Sequence, residues 1–273
     1  MEPTGNDLEG EVLVKRPCPG VATIVLSRPK ARNALGWSMW QGLHQAVVEV
    51  AGDSEVRAVV LTGAGGVFSA GGDLRTSPAR GSGALSPVAR LELGQQVVSM
   101  LYRLPKPTIA AVEGFAVGVG WSLVLACDLV ISANDAFFSA PFTERGLVPD
   151  GGAAWLLVRR LGHHRAASAV LLGERLSATA AAQQGIVSRL VDPGMAEAEA
   201  VASAALLANR SGDALRLAKD LMREAPEVSF DGFLGRELLA AALAAGGPDA
   251  KEGRAAFAQG RVPRYQTGVE FTS

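Results

Sequence analysis

Two glycine-rich segments of the chain combine residue types that could stabilise an oxyanion. Residues 67–74 (VFSAGGDL) and 114–121 (GFAVGVGW) each join a strand-like run to a helical pattern. Glycine permits backbone conformations with φ > 0 and a close approach of another group, so two such turns can direct two peptide N–H groups at one small anion. The pair predicts an enzyme that acts on a carbonyl compound.

Common nucleotide-binding and nucleophile motifs do not match these turns. Residues 63–66 (GAGG) lack the Lys and Ser/Thr that follow the glycines of a P-loop, and residues 118–120 (GVG) lack the third glycine of a dinucleotide-binding turn. A nucleophile elbow needs Gly-x-Ser-x-Gly, and neither Ser69 nor Ser122 has glycine at both of those positions. The serines are therefore not predicted to be nucleophiles.

The histidines and cysteines do not form a metal-binding pattern. His44 lies within a predicted helix, and His163 and His164 are adjacent, so they would not face each other on a helix. Cys18 and Cys127 are far apart and too few for a disulfide framework or a zinc site. We expect no metal, two inert thiols and a reducing compartment.

Strand-like and helical patterns alternate along the first two thirds of the chain, which predicts an α/β fold. Predicted strands are 21–26, 57–62, 108–112, 129–132, 137–139 and 186–191, and predicted helices are 39–50, 86–102 (opened by Ser86 and Pro87), 120–127, 153–161, 165–172 and 178–184. Beyond residue 195 the chain is rich in Ala and Leu, with predicted helices at 196–208, 214–223, 230–245 and 250–259. We predict an α/β core with the site in residues 1–195 and a helical region in residues 196–273. The apolar stretch 238–243 needs a covering surface, which is either a neighbouring subunit or the chain's own core.

Charge and hydropathy exclude two classes of partner. With 26 basic and 27 acidic residues, the chain has no overall field that would attract nucleic acid. The longest apolar run, residues 115–127, is too short to span a bilayer. Residues 1–11 lack the basic end and apolar stretch of a signal peptide, so we expect a cytoplasmic protein that binds neither nucleic acid nor membrane.

Five segments together resemble the enoyl-CoA hydratase/isomerase family, the crotonase superfamily. They are residues 28–35 (RPKARNAL), 68–74 (FSAGGDL), 106–114 (KPTIAAVEG), 127–129 (CDL) and 146–152 (GLVPDGG), in the order of the family. The resemblance covers nearly the whole chain. It implies a spiral core of repeated ββα turns, a C-terminal helical region used in trimerisation, and a homotrimer or a dimer of trimers. It also implies acyl-CoA thioesters as ligands, with no cofactor besides the CoA that is part of the substrate.

By the same resemblance, the oxyanion hole would use the backbone N–H groups of Gly72 and Val119. A start of a helix near Val119 agrees with this, because the unpaired N–H groups at a helix N-terminus favour an anion. The implied substrate-binding residues are Lys30, Ala31 and Arg32 at the nucleotide end of CoA, and Ala70, Leu74, Trp121, Ser122 and Phe142 near the acyl group. An exposed charged turn is the alternative for Lys30 to Arg32, and a place in the core is the alternative for Trp121 and Phe142.

The acid and base groups depart from the pattern of the family. Hydratases of the family typically use two glutamates, and the matching positions here hold Ser122 and Phe142, neither of which can act as a carboxylate. Asp150 stands where several isomerases carry their working carboxylate, and a carboxylate in an apolar pocket can move a proton between two carbons. The alternative for Asp150 is an N-cap of the helix near Ala153. Glu144 is the nearest other carboxylate and is expected on a solvated face.

Three functions remain open on this basis. The first is an enoyl-CoA isomerase that shifts a double bond from Δ3 to Δ2, with Asp150 as the proton carrier and Gly72 and Val119 holding the enolate oxygen. The second is an enoyl-CoA hydratase in which Asp150 and a bound water replace two glutamates. The third is an acyl-CoA-binding protein without catalytic activity.

Overall fold

The computed structural model describes residues 10–81, 83–84 and 88–265. The strands are β1 Glu11–Cys18, β2 Val21–Ser27, β3 Ala58–Gly63, β4 Thr108–Val112, β5 Phe115–Val117, β6 Leu129–Ala133, β7 Phe137–Ser139, β8 Leu176–Ser177 and β9 Arg189–Val191. The helices are α1 Trp37–Gly52, α2 Ala89–Tyr102, α3 Val119–Ala126, α4 Ala153–Leu161, α5 His163–Leu171, α6 Ala178–Gln183, α7 Ala196–Ala208, α8 Gly212–Glu224, α9 Phe230–Gly246 and α10 Pro248–Ala258. The predicted cap at Ser86 and Pro87 lies outside the described residues.

The main sheet has the order β1-β2-β3-β4-β6-β9. Strands β2, β3, β4, β6 and β9 run parallel, and β1 pairs antiparallel with β2. Parallel strands end at the same edge of a sheet, so the segments that follow β3 and β4 emerge side by side. A smaller sheet of β5, β7 and β8 continues from that edge. This topology brings the two glycine-rich segments together.

The main sheet is buried on both faces, as parallel sheets usually are. Ile24, Leu26, Val59 and Leu61 belong to the large core that also contains α1, α2 and α3. The other face packs against α7, which contributes an alanine every fourth residue: Ala196, Ala200, Ala204 and Ala208. This spacing places small side chains along one face of the helix, so its backbone can lie close to the strands.

The α/β class is confirmed, and most predicted elements are present within one or two residues. Strand β1 was not predicted. The predicted strand 186–191 is shorter, because the N–H groups of Ile186 and Val187 donate to the carbonyl of Ala181 in the turn after α6. Helix α3 begins at Val119, one residue before its predicted start.

The helices after residue 195 attach to the core in different ways. Lys219 of α8 is 3% exposed, and its Nζ donates to Asp128 Oδ2 at 2.6 Å and to the Lys106 carbonyl at 3.0 Å. In contrast, Leu238, Leu239 and Leu243 of α9 are 72%, 68% and 69% exposed on the single chain. A domain boundary near residue 195 stays a prediction. Within the described residues, no helix combines the length and apolar character needed to cross a membrane.

Candidate active site

The two glycine-rich segments are hydrogen-bonded to each other. The Ser69 N–H donates to the Phe115 carbonyl at 3.1 Å, and the Val117 N–H donates to the Ser69 carbonyl at 2.9 Å. Gly120 packs so closely on this bridge that a Cβ atom there would lie 2.9 Å from the Cβ of Ser69. The two segments therefore form one rigid unit.

A positive-φ glycine precedes each predicted donor. Gly71 has φ +88° and stands before Gly72, and Gly118 has φ +56° and stands before Val119. Other L-residues rarely adopt this region, and here it turns the next peptide N–H out of the local hydrogen-bond pattern. In the described part of the chain, the N–H groups of Gly72 and Val119 donate to no acceptor. Val119 is also the first residue of α3, where an unpaired N–H is the rule.

Gly72 and Val119 both line one cavity of about 190 Å³. It is lined by Trp40, Gly72, Leu74, Thr76, Pro78, Arg90, Leu91, Gly94, Val119, Leu147, Asp150 and Gly151. The structure thus brings together Gly72, Val119, Asp150 and Leu74 of the predicted site residues. Larger hollows lie between the C-terminal helices and at their junction with the core, away from these donors.

Asp150 has the environment of a proton carrier. It is half-buried, and its Oδ1 is shielded from solvent with no hydrogen-bond partner among the described residues. Burial raises the pKa of Asp150 to about 6, against smaller opposing influences of a hydrogen bond from its own backbone N–H and of the Arg90 charge. Such a carboxyl is mostly ionised at neutral pH and yet accepts a proton more readily than an ordinary aspartate.

The turn that carries Asp150 rests on the start of α3. The Ser122 hydroxyl donates to the Asp150 carbonyl at 3.1 Å. Gly151 has φ +57°, and a Cβ atom there would lie 2.7 Å from Val119 Cγ2 and 3.3 Å from Ser122 Cβ. The interpretation of Asp150 as a helix cap is wrong, because the cap of α4 is Gly152 and no side chain caps that helix.

A second buried carboxylate, Asp73, has the opposite character. It is 2% exposed and accepts hydrogen bonds from Arg28 Nη1 at 2.7 Å and from Arg75 Nε at 3.3 Å. Burial alone would raise the pKa of Asp73, but these bonds outweigh it and hold the pKa at about 2. Asp73 is therefore a permanent anion that anchors the loop after Gly72, whereas Asp150 can exchange a proton.

The predicted CoA-contacting residues lie on a short turn beside this loop. Lys30 and Arg32 are exposed, and Ala31 is half-buried. The Arg32 carbonyl accepts the N–H of Ala70 at 2.8 Å, which joins the turn to the first glycine-rich segment. Asn33 holds the turn from within through side-chain hydrogen bonds to the carbonyls of residues 64, 67 and 68. A role of this turn, or of half-buried Ala70, in CoA binding stays a prediction.

The remaining predicted residues lie outside the wall of the cavity. Trp121 is 1% exposed and packs against Phe138 with ring centroids 5.7 Å apart, which is the core placement. Phe142 is buried near Gly118, behind the second donor. Ser122 is fully buried, and its hydroxyl donates to the carbonyl of Asp150. Glu144 is exposed beside Gly173, as expected of a solvated face.

The sequence analysis missed one charged residue of the cavity, Arg90. It is 5% exposed, and the buried positions of α2 are Arg90, Gly94, Val97, Val98 and Leu101. The signal was a lone arginine at the N-terminal end of an apolar stripe with helical spacing. Long cations on such a stripe are rarely buried unless they have a partner or a function.

Comparison with known proteins gives the same assignment over most of the chain. The sequence model of the family described as enoyl-CoA hydratase/isomerase matches residues 18–267. The 1,2-epoxyphenylacetyl-CoA isomerase of Escherichia coli (strain K12) is 36% identical over 251 residues, which cover 90% of this chain and 95% of the relative. The 2,3-dehydroadipyl-CoA hydratase of the same organism is 33% identical, with 94% of this chain and 98% of the relative covered.

Solved structures agree with the sequence comparison. A crystal structure of an enoyl-CoA hydratase from Polaromonas sp. JS666 superposes with a TM-score of 0.89 at 34% identity. The match covers 94% of this chain and 100% of that one. The predicted spiral α/β fold with C-terminal helices is therefore confirmed.

Proposed function

Because this chain belongs to the enoyl-CoA hydratase/isomerase family, we propose that it is an enoyl-CoA isomerase that moves a double bond from Δ3 to Δ2 of an acyl-CoA thioester. One of the relatives above is named an isomerase and the other a hydratase, so the relatives leave both reactions open. We base the preference for isomerisation on the residues of the cavity.

The supporting observation is one proton-exchanging carboxylate in the same cavity as two unpaired backbone donors. Asp150, Gly72 and Val119 line the same cavity. With the thioester oxygen bound by the two N–H groups, the acidic C2–H group of the substrate would lie near Asp150. Preorganised backbone donors stabilise the negative charge that develops on that oxygen.

The proposed reaction has two proton transfers and no redox step. The Asp150 carboxylate takes a proton from C2 of a 3-enoyl thioester, and the electron pair passes to the thioester oxygen to give a dienolate. Gly72 and Val119 hold this oxyanion through their N–H groups. Protonated Asp150 then donates to C4, the thioester carbonyl re-forms, and the double bond lies between C2 and C3. One carboxylate suffices because it accepts and returns the same proton.

The residues of this cavity give less support to hydration than to isomerisation. Water must be activated while a carbon is protonated, and hydratases of the family typically use two glutamates for this. Ser122 stands at one of those positions, with its hydroxyl bonded to the Asp150 carbonyl, and Phe142 stands at the other. A hydroxyl cannot abstract a proton unaided at neutral pH.

Paired assays test the proposal. Isomerisation of 3-hexenoyl-CoA and hydration of 2-hexenoyl-CoA are measured on the same preparation. We expect turnover of the first at a kcat/KM well above that of the second. Hydration faster than isomerisation would overturn the proposal. Tight acyl-CoA binding with neither reaction would support the non-catalytic alternative instead.

The pH dependence of isomerisation provides an independent prediction. The pKa of Asp150 is raised to about 6 by burial, and the base works in its ionised form. We therefore expect kcat/KM to rise about tenfold per pH unit below pH 6 and to level off above it. A profile that is flat between pH 5 and 7 would contradict Asp150 as the base of the free enzyme.

We also propose that the apolar face of α9 joins subunits into a trimer or a dimer of trimers. Contiguous exposed apolar side chains usually mark an interface, and Leu238, Leu239 and Leu243 form such a face. Sedimentation velocity of the wild type and of a Leu238→Glu, Leu239→Glu variant tests this. We expect a trimer or hexamer for the wild type and smaller species for the variant, and a monomeric wild type would refute the proposal.

A further inference from the structure

Arg90 lies in the wall of the cavity and is anchored on one side only. Its main-chain N–H donates to the Pro78 carbonyl at 3.0 Å. Its Nη1 donates to the carbonyl of Thr76 at 3.1 Å and to Thr76 Oγ1 at 2.7 Å. These bonds fix the guanidinium between α2 and the loop after Gly72. No hydrogen bond from its Nε or Nη2 to any described residue is present.

The positive charge of Arg90 has no ion-pair partner in the part of the chain that the structure describes. The nearby carboxylate of Asp73 is bonded to Arg28 and Arg75. Asp150 shares the cavity, yet its buried Oδ1 has no hydrogen-bond partner among those residues. Arginine keeps its proton in proteins, and the charges of Asp73 and Asp150 act on Arg90 without direct contact, so its Nε and Nη2 have no hydrogen-bond acceptor among the described residues. An anion that enters the cavity would supply the direct hydrogen-bonded partner that Arg90 lacks.

Size limits what that anion can be. A cavity of about 150 Å³ is enough for benzene, so a volume of about 190 Å³ accepts an acyl chain of a few carbons and one small polar group. The thioester end is taken by Gly72 and Val119 under the proposed function. The distal end of a short acyl chain would then lie in the cavity that Arg90 lines.

We propose that Arg90 determines acyl specificity by pairing with a carboxylate at the far end of the acyl group, so that the preferred substrates are CoA monothioesters of short dicarboxylic acids. The substrate assignment rests on the proposed function, because it takes the thioester to be held by the two backbone donors. Planar guanidinium groups match carboxylates with two parallel hydrogen bonds, which gives the pair directional selectivity.

The carboxylate would also balance charge during turnover. When Asp150 takes the substrate proton it loses its negative charge, and the developing oxyanion is held by the N–H groups of Gly72 and Val119. A distal carboxylate keeps a counter-charge beside Arg90 throughout the reaction. A neutral chain would instead place a methyl group against a guanidinium that has been removed from water, which is the arrangement that polar sites reject.

Binding of saturated thioesters tests the proposal without any need for turnover. Succinyl-, glutaryl- and adipyl-CoA are compared by calorimetry with butyryl-, pentanoyl- and hexanoyl-CoA of equal chain length. For the best chain length, we expect the wild type to bind the dicarboxylic thioester at least about tenfold more tightly, in the range of charge-assisted hydrogen bonds. We expect Arg90→Gln to abolish that ratio by weakening only the carboxylate-bearing ligand.

A matched variant distinguishes a direct contact between Arg90 and the ligand carboxylate from a general electrostatic attraction by nearby positive charges. Arg75→Gln removes an equal charge from the same loop, and its side chain is 63% exposed. We expect it to keep the wild-type ratio. If both variants lower the ratio equally, the preference arises from the general field and the proposal fails.

Two further results would overturn the assignment. The first is equal affinity of the wild type for the dicarboxylic and the neutral thioester at all three chain lengths. This measurement does not depend on whether Arg90→Gln folds. Equal weakening of both ligands in a folded Arg90→Gln protein would show that Arg90 only anchors the loop. Because the ligands are unreactive, loss of the isomerase proposal in the paired assays would leave this result intact, and the reverse also holds.

Discussion

Replacing Asp150 by asparagine is expected to lower kcat for 3-enoyl-CoA isomerisation by about a thousandfold, since a positioned acid or base contributes about 10²–10⁴-fold. Asparagine has nearly the same shape and cannot carry the proton from C2 to C4. The buried Oδ1 of Asp150 has no partner to lose, and burial already disfavours the charged form. We therefore expect Asp150→Asn to unfold at the wild-type temperature or above it at pH 8.

Glu144→Gln is the matched control for this variant. It removes a carboxylate six residues earlier on the same connection, where the side chain is exposed. We expect near wild-type isomerisation from Glu144→Gln. Transfer of deuterium from C2 to C4 of a C2-deuterated substrate gives a second readout, which should disappear in Asp150→Asn alone. Wild-type turnover in Asp150→Asn, or its loss in Glu144→Gln, would refute the assignment of the base.

The second large effect is expected at Gly72. Comparing Gly72→Pro with Gly72→Ala distinguishes the loss of the N–H donor from the addition of a side chain. Gly72→Pro removes the donor, and the loss of one oxyanion donor costs about 10²–10³-fold in rate. Gly72→Ala keeps the donor. The φ of Gly72 is not in the left-handed region, and a Cβ atom there would meet no atom within 4 Å. We expect a far smaller loss of kcat/KM from alanine.

Vibrational spectroscopy of a bound thioester gives the physical readout for this pair. Hydrogen bonding weakens the C=O bond, so the carbonyl stretch of a bound acyl-CoA should shift to lower frequency in the wild type and in Gly72→Ala. The shift should decrease in Gly72→Pro. Thermal unfolding of both variants shows whether the fold is kept. Equal activity of the two folded variants would mean that the Gly72 N–H does not hold the oxyanion.

The central part of the site was predictable because its information is local. Gly71 and Gly118 each precede a donor, and local glycine patterns report on the backbone turns that these residues make possible. The parallel order of the sheet then places the segments after β3 and β4 together. For this reason Gly72 and Val119 line one cavity, and Asp150, whose position was implied by the resemblance to the family, lines it too.

Side-chain direction could not be predicted where the sequence pattern has no polar face. All eight residues of α3 are buried, so nothing in the helix indicates that Trp121 points into the core rather than into the cavity. The cap interpretation of Asp150 failed for a related reason. Gly151 and Gly152 both have positive φ, and these two residues separate Asp150 from the start of α4 at Ala153.

The environment of Arg90 depends on contacts that are distant in sequence. Its hydrogen bonds reach Thr76, fourteen residues earlier, and the cavity that it lines also includes Asp150, sixty residues later. Strand β1 was missed because its sequence (EVLVKRPC) contains three charged residues and a proline, and it packs on one face only at the edge of the sheet.

The hydrogen bond from Ser122 to the Asp150 carbonyl couples two positions that could otherwise vary independently. By the resemblance noted in the sequence, Ser122 stands where hydratases of the family carry a glutamate, and here its hydroxyl donates to the carbonyl of the turn that carries Asp150. A change from serine to glutamate at this place adds an acid and removes that support in the same mutational step. We therefore expect the effects of substitutions at Ser122 and in the turn at residues 150–152 to depend on each other.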